Sequence, residues 1–166
     1  MLTKFQISRF VTPDFTRNVA QCVHRMTGTK AENTGVIWDP VNSFIADGEQ
    51  PRDGAVTLGS TIKHVHIKDV TRNSQGWNYD LPGNGQFPLT ELLESLKALQ
   101  YASFLSFEWE KQWHPELADA EIALPHFANW FHGLVLVPGH FGFAGGDFLH
   151  DSQHPSALVL PIVSRS

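Results

Sequence analysis

Residues 62–69 read Ile62-Lys63-His64-Val65-His66-Ile67-Lys68-Asp69, and this stretch decides the fold class. Side chains on a strand alternate between its two faces, so residues two apart share one. His64, His66 and Lys68 therefore lie on one face and Val65 and Ile67 on the other, which predicts a strand over 62–67. Upstream, Gly35-Val36-Ile37-Trp38-Asp39 is a β-rich run stopped by Pro40, with Ile37 and Asp39 set against Val36 and Trp38. Downstream, Phe104-Leu105-Ser106-Phe107-Glu108 repeats the pattern, with Phe104, Ser106 and Glu108 opposite Leu105, Phe107 and Trp109. A further strand is expected over 4–8, which makes four parallel strands near 4–8, 34–39, 62–67 and 103–108.

Helical patterns fall between these runs. Thr12-Pro13-Asp14 has the capping hydroxyl, early proline and early acid of a helix start. Phe15, Val19, Cys22, Val23 and Met26 follow at helical spacing as far as Gly28. Pro51 to Leu58 suits a short helix, and Leu89, Leu92, Leu93, Leu96 and Leu99 form one apolar stripe. Pro115–Phe131 is helical in pattern, with Pro125 expected to kink or divide it. Residues 70–88, rich in Gly, Asn and Pro, read as a loop. Strand and helix alternate, which is the order of an α/β fold with a parallel sheet. That organisation covers residues 1–132; residues 133–166 show no clear period and form a tail of unassigned structure.

Composition narrows the function classes. A chain of 166 residues fits one domain, and 42% hydrophobic with 17% charged residues is ordinary for a globular protein. The net charge of −5, without a Lys/Arg run, excludes a nucleic-acid footprint. Cys22 is the single cysteine, so no intramolecular disulfide forms and a reducing compartment is expected. The start, Met1 to Phe10, lacks the apolar core of a secretory signal, and no apolar run is long enough to span a bilayer. The expectation is a soluble cytoplasmic protein with no membrane partner.

Each strong strand sets an apolar face against a narrower face that ends in a metal-capable residue: Asp39, His66 and Glu108. In a parallel α/β barrel the outward apolar face packs on helices, and active sites lie at the strands' C-terminal ends. Singly, each residue has a plain structural reading: a turn Asp before proline, a hydrogen-bonded core His, a Glu at the solvent boundary. At matching depth on three successive strands they point to one site. Two carboxylates and an imidazole suit Mn²⁺, Co²⁺, Mg²⁺ or Zn²⁺. His64, one pleat deeper, is expected to face the barrel interior below the metal.

Gly35-Val36-Ile37-Trp38-Asp39, His64-Val65-His66-Ile67-Lys68-Asp69, Leu81-Pro82-Gly83-Asn84-Gly85 and Leu105-Ser106-Phe107-Glu108-Trp109-Glu110 together resemble the last strand regions of the sugar phosphate isomerases and epimerases. These are xylose isomerase-like barrels, a group that also takes in hydroxypyruvate isomerases, inosose dehydratases and endonuclease IV. The resemblance covers Thr12 to Phe131. It implies a partial (β/α)8 TIM barrel of about four C-terminal βα units. The implied function is a metal-dependent sugar or sugar-phosphate isomerase or epimerase of carbohydrate metabolism, working through a metal-stabilised enediolate.

By the same resemblance Asp39, His66 and Glu108 are metal ligands, and Glu108 also moves protons. Asn42, Lys68 and Asp69 are implied substrate contacts, Asn42 standing where many members carry a His. The segment Trp109 to His114 resembles a subgroup whose substrate is poorly defined.

The family's fourth ligand, a Glu at the end of the preceding strand, has no counterpart in Phe5-Gln6-Ile7-Ser8-Arg9-Phe10. A whole barrel needs about 250 residues, so a half-barrel with open edges is expected, self-associating or poorly soluble. Two alternatives follow: a lyase of the inosose dehydratase type, or an inactive barrel fragment that serves as a scaffold. Endonuclease-like cleavage would require a zinc cluster and a basic DNA face, and neither is evident.

Overall fold

The computed structural model describes residues 35–135 and the short segments 149–150 and 157–161. Its main sheet has five strands in the order β1-β2-β5-β7-β6. They are β1 (Val36–Trp38), β2 (Ile62–Ile67), β5 (Phe104–Glu108), β6 (Leu149–His150) and β7 (Ala157–Pro161). Between them lie helices α1 (Pro40–Asp47), α2 (Pro51–Leu58) and α3 (Leu89–Ala98), and α4 (Ala120–Val135) follows β5. Strands β3 (Asp69–Asn73) and β4 (Gly76–Asp80) form a separate antiparallel ribbon. No helix among the described residues is long and apolar enough to cross a membrane.

β1, β2 and β5 are parallel, as the βα alternation requires. Their outward faces make the core: Val36, Trp38, Val65, Ile67, Leu105, Phe107 and Trp109 are all buried. Leu89, Leu92, Leu93 and Leu96 of α3 are buried with them. From α4, the Phe127 ring stacks on Phe107 with centroids 4.6 Å apart. The opposite face is only partly covered: Ile37 and Phe104 are each 42% exposed, while Ser106 is buried. At the strand ends on this face Asp39, His66 and Glu108 are partly exposed.

Four expectations need correction. Residues 70–88 are not all loop, because β3 and β4 pair from Asp69↔Asp80 to Asn73↔Gly76. The β-formers Val70, Thr71, Trp77 and Tyr79 flank a two-residue turn at Ser74-Gln75, after which Gly76 (φ 128°) opens β4, a hairpin pattern that the polar composition obscured. Pro40 ends β1 but also opens α1: Asp39 caps the helix by accepting from the Asn42 N–H at 3.2 Å, and proline suits the first helical position. α4 begins at Ala120 rather than Pro115 and runs undivided through Pro125. The tail contributes β6 and β7, and β7 pairs antiparallel with β5 and with β6, so the β5 edge is paired rather than open. The strand expected over 4–8 and the helix expected from Thr12 lie outside the described residues.

Gly48 closes α1 in a left-handed conformation (φ 71°), its N–H donating to the Phe44 carbonyl at 2.9 Å. A Cβ there would meet nothing within 4 Å, so only the backbone disfavours a side chain. Gly48→Ala is therefore expected to cost about 1 kcal/mol and Gly48→Asn less, read from the shift in urea midpoint. A loss well above that would mean that the turn contains contacts beyond this geometry.

Candidate metal centre

The β2–β5 register sets His64 beside Phe104 and His66 beside Ser106. The side chains reach one pleat further along β5, and the same diagonal step repeats three times. His64 Nε2 meets Ser106 Oγ at 2.6 Å, His66 Nδ1 meets Glu108 Oε2 at 3.1 Å, and Lys68 Nζ donates to Glu110 Oε1 at 3.1 Å. Two in-register parallel strands with matching polar faces produce this ladder, which grows more polar towards the strand ends.

Asp39 closes the group from β1. One ligand atom from each of Asp39, His66 and Glu108 lies within 4.8 Å of the others. Lys68 stands among them: its ammonium is 2.8 Å from Asp39 Oδ2 and 2.8 Å from Glu108 Oε2. The Lys68 side chain is only 2% exposed, whereas Glu108 is 37% exposed. The centre thus opens on the Glu108 side and is sealed beneath by Lys68.

The electrostatics follow from this packing. Burial alone would lower the Lys68 pKa, but Asp39 and Glu108 outweigh it and hold the ammonium firmly protonated. Burial works to raise Glu108, yet the His66 hydrogen bond and the Lys68 charge keep its carboxylate well below the usual range. Burial raises Asp39, and Lys68 offsets part of that. For His66, burial is outweighed by the hydrogen bond and charge of Glu108, and the imidazole is raised. His64 goes the other way, lowered to about 4 by burial and then by the neighbouring His66. Deeper in the sheet, it is a neutral, hydrogen-bonded imidazole.

The other two expected contact residues lie differently. Asn42 is exposed at the start of α1, where its backbone N–H serves the Asp39 cap. Asp69 is 1% exposed and faces away from the centre. Its Oδ1 accepts from the N–H groups of Val70 (2.8 Å) and Phe87 (3.1 Å), and its Oδ2 from those of Gly83 (2.9 Å) and Gly85 (3.0 Å). Asp69 therefore ties down the Leu81–Phe87 loop. The Leu81-Pro82-Gly83-Asn84-Gly85 motif gains a physical reason: a Cβ at Gly85 would collide with the Asp69 carboxylate.

Glu110 and Tyr79 had no role in the sequence reading. Glu110 shares the face of Glu108 by simple alternation, so the signal was present in Phe104-Ser106-Glu108-Glu110. Tyr79 arrives on the β4 ribbon; Lys68 Nζ lies 5.5 Å from its ring centroid, and the ring meets His114 edge-on at 4.9 Å. No sequence pattern places Tyr79 beside the centre, because the ribbon's fold-back decides it.

The donor chemistry fits a divalent cation: two carboxylates and an imidazole, partly open to solvent. Parallel strands joined by helices, with polar residues gathered at their C-terminal ends, define the class of (β/α)-barrel proteins. Within that class, the chain belongs to the xylose isomerase-like TIM barrel family, whose model matches residues 10–130. Among solved structures it is similar to a xylose isomerase domain protein from Planctomyces limnophilus. The identity is 16% and the TM-score 0.56, over 71% of this chain and 42% of that one. The chain therefore spans less than half the length of that protein, and the likeness concerns the fold. No curated relative matches the chain.

Proposed function

We propose that this chain is a metal-dependent isomerase or epimerase domain acting on a small sugar, sugar phosphate or related ketone. The observation that carries the reading is the meeting of Asp39, His66 and Glu108, with ligand atoms within 4.8 Å, at the ends of β1, β2 and β5. A divalent ion held there would polarise neighbouring carbonyl and hydroxyl oxygens, lowering the cost of removing the adjacent C–H proton.

Asp39, His66 and Glu108 would hold the ion, and Glu108, the most open of the three side chains at 37% exposure against 27% for His66 and 15% for Asp39, would exchange the proton. Its contacts with His66 and Lys68 both fall on Oε2. Tyr79 and His114 form an aromatic wall beside Lys68, suited to the C–H face of a sugar ring.

The test is exchange of a substrate C–H for deuterium, followed by NMR in D2O with Mn²⁺ and a panel of ketoses and ketose phosphates. The wild-type chain should exchange at least one substrate, and Glu108→Gln should slow that exchange about 100-fold or more, the scale of a lost acid/base group. A product lacking the elements of water would favour the lyase reading. No exchange with any member of the panel would leave an inactive scaffold.

A further inference from the structure

Lys68 stands out from the ladder. It is 2% exposed and has three carboxylates around one ammonium: Asp39 at 2.8 Å, Glu108 at 2.8 Å and Glu110 at 3.1 Å. An ammonium has three N–H donors and no acceptor, so each donor is matched to one carboxylate. Two of these carboxylates are the ones that would hold a metal, and the third is not.

We propose that Lys68 is a tethered cation that competes with the divalent ion for Asp39 and Glu108, and that Glu110 is the carboxylate that retains Lys68 when the ion binds. This inference rests on the metal reading above. Charge supports it. Three carboxylates and one ammonium, with His66 neutral as a ligand must be, leave the cluster two negative charges, which one divalent ion balances. Without Glu110 the same ion would leave a positive excess in a partly buried site. Unlike charges at contact distances attract strongly, and like charges repel as strongly, even at an intermediate effective dielectric. A cation fixed on the ligands' own oxygens therefore opposes the incoming ion. Glu110 gives that cation a partner at 3.1 Å that the ion does not need.

A merely supportive role predicts the opposite sign. If Lys68 only holds Asp39 and Glu108 in place for the ion, its removal splays the ligands and weakens binding. If it competes, its removal strengthens binding. Calorimetric titration with Mn²⁺ alone, on the full chain, separates the two. Lys68→Met should bind Mn²⁺ about tenfold more tightly or better, and Glu110→Gln about tenfold more weakly.

Thermal unfolding without metal runs alongside. Lys68→Met should melt lower than wild type, because three carboxylates lose their counter-charge, and Mn²⁺ should restore more of its stability than it adds to wild type. Glu110→Gln keeps the two shorter Lys68 contacts and so tests the proposal even if Lys68→Met does not fold. Mn²⁺ affinity that is unchanged or weaker in a folded Lys68→Met overturns the proposal, as does unchanged or tighter affinity in Glu110→Gln. If the wild type binds and Lys68→Met binds no better, this inference fails while the metal reading stands. If only Lys68→Met binds, Lys68 blocks the native site and the metal-dependent function fails. If neither binds, both fail.

Discussion

Asp69→Ala should destabilise the protein by about 3–4 kcal/mol, the range for several buried donors losing one shared acceptor. The carboxylate is 1% exposed and accepts from four backbone N–H groups, those of Val70, Gly83, Gly85 and Phe87. Val70 and Phe87 belong to the buried core, so water cannot easily replace the lost acceptor at both. Burial raises the Asp69 pKa and the four donors bring it part of the way back, so the charged form is sustained by these contacts.

Asp69→Asn should not rescue the loss. Two N–H groups point at each oxygen, so either amide orientation aims an NH2 at two donors, and a loss of roughly 2 kcal/mol or more is expected. Urea unfolding of both variants measures this. A loss below about 1 kcal/mol in both would mean that the loop does not depend on the Asp69 clamp. The effect would also reach the centre, because the same clamp fixes the point where β2 gives way to the ribbon carrying Tyr79.

The second large effect concerns metal affinity. His66→Ala and Glu108→Ala should each lose about 100-fold or more in Mn²⁺ affinity, since removing a ligand costs at least what removing a ligand's supporting partner does. His64→Ala should stay within a few-fold of wild type. The two histidines are two residues apart on one face, with rings 5.4 Å apart, but their partners differ. His66 contacts Glu108, whereas His64 is engaged with Ser106 at 2.6 Å and is not among the converging group. Calorimetry on the three variants gives the order directly. Equal binding by His66→Ala and wild type would show that the chemistry of β2 resides elsewhere. Loss of binding in His64→Ala instead would move the site one pleat deeper.

The parallel core and its polar ends were legible because strand alternation is a local property. Val65 and Ile67 against His64 and His66, or Leu105 and Phe107 against Ser106 and Glu108, state which face is buried without knowledge of any partner. The leucine stripe of α3 is legible for the same reason at helical period. The convergence of Asp39, His66 and Glu108 was also accessible, because strand ends at matching depth in a parallel sheet must lie side by side.

What the tertiary structure alone decided depends on contacts between segments distant in sequence. Lys68 and Asp69 are adjacent and both polar, yet Lys68 meets the carboxylate cluster and Asp69 the loop at Gly83 and Gly85, partners set by distant segments. No local pattern shows that β7 returns to pair with β5, or that the ribbon sets Tyr79 over Lys68. The register that converts two polar strand faces into a ladder of three pairs, each 42 residues apart, is likewise a property of β2 and β5 together. Hydrophobic period is written residue by residue, whereas hydrogen-bond and charge partners are fixed only when separate segments pack.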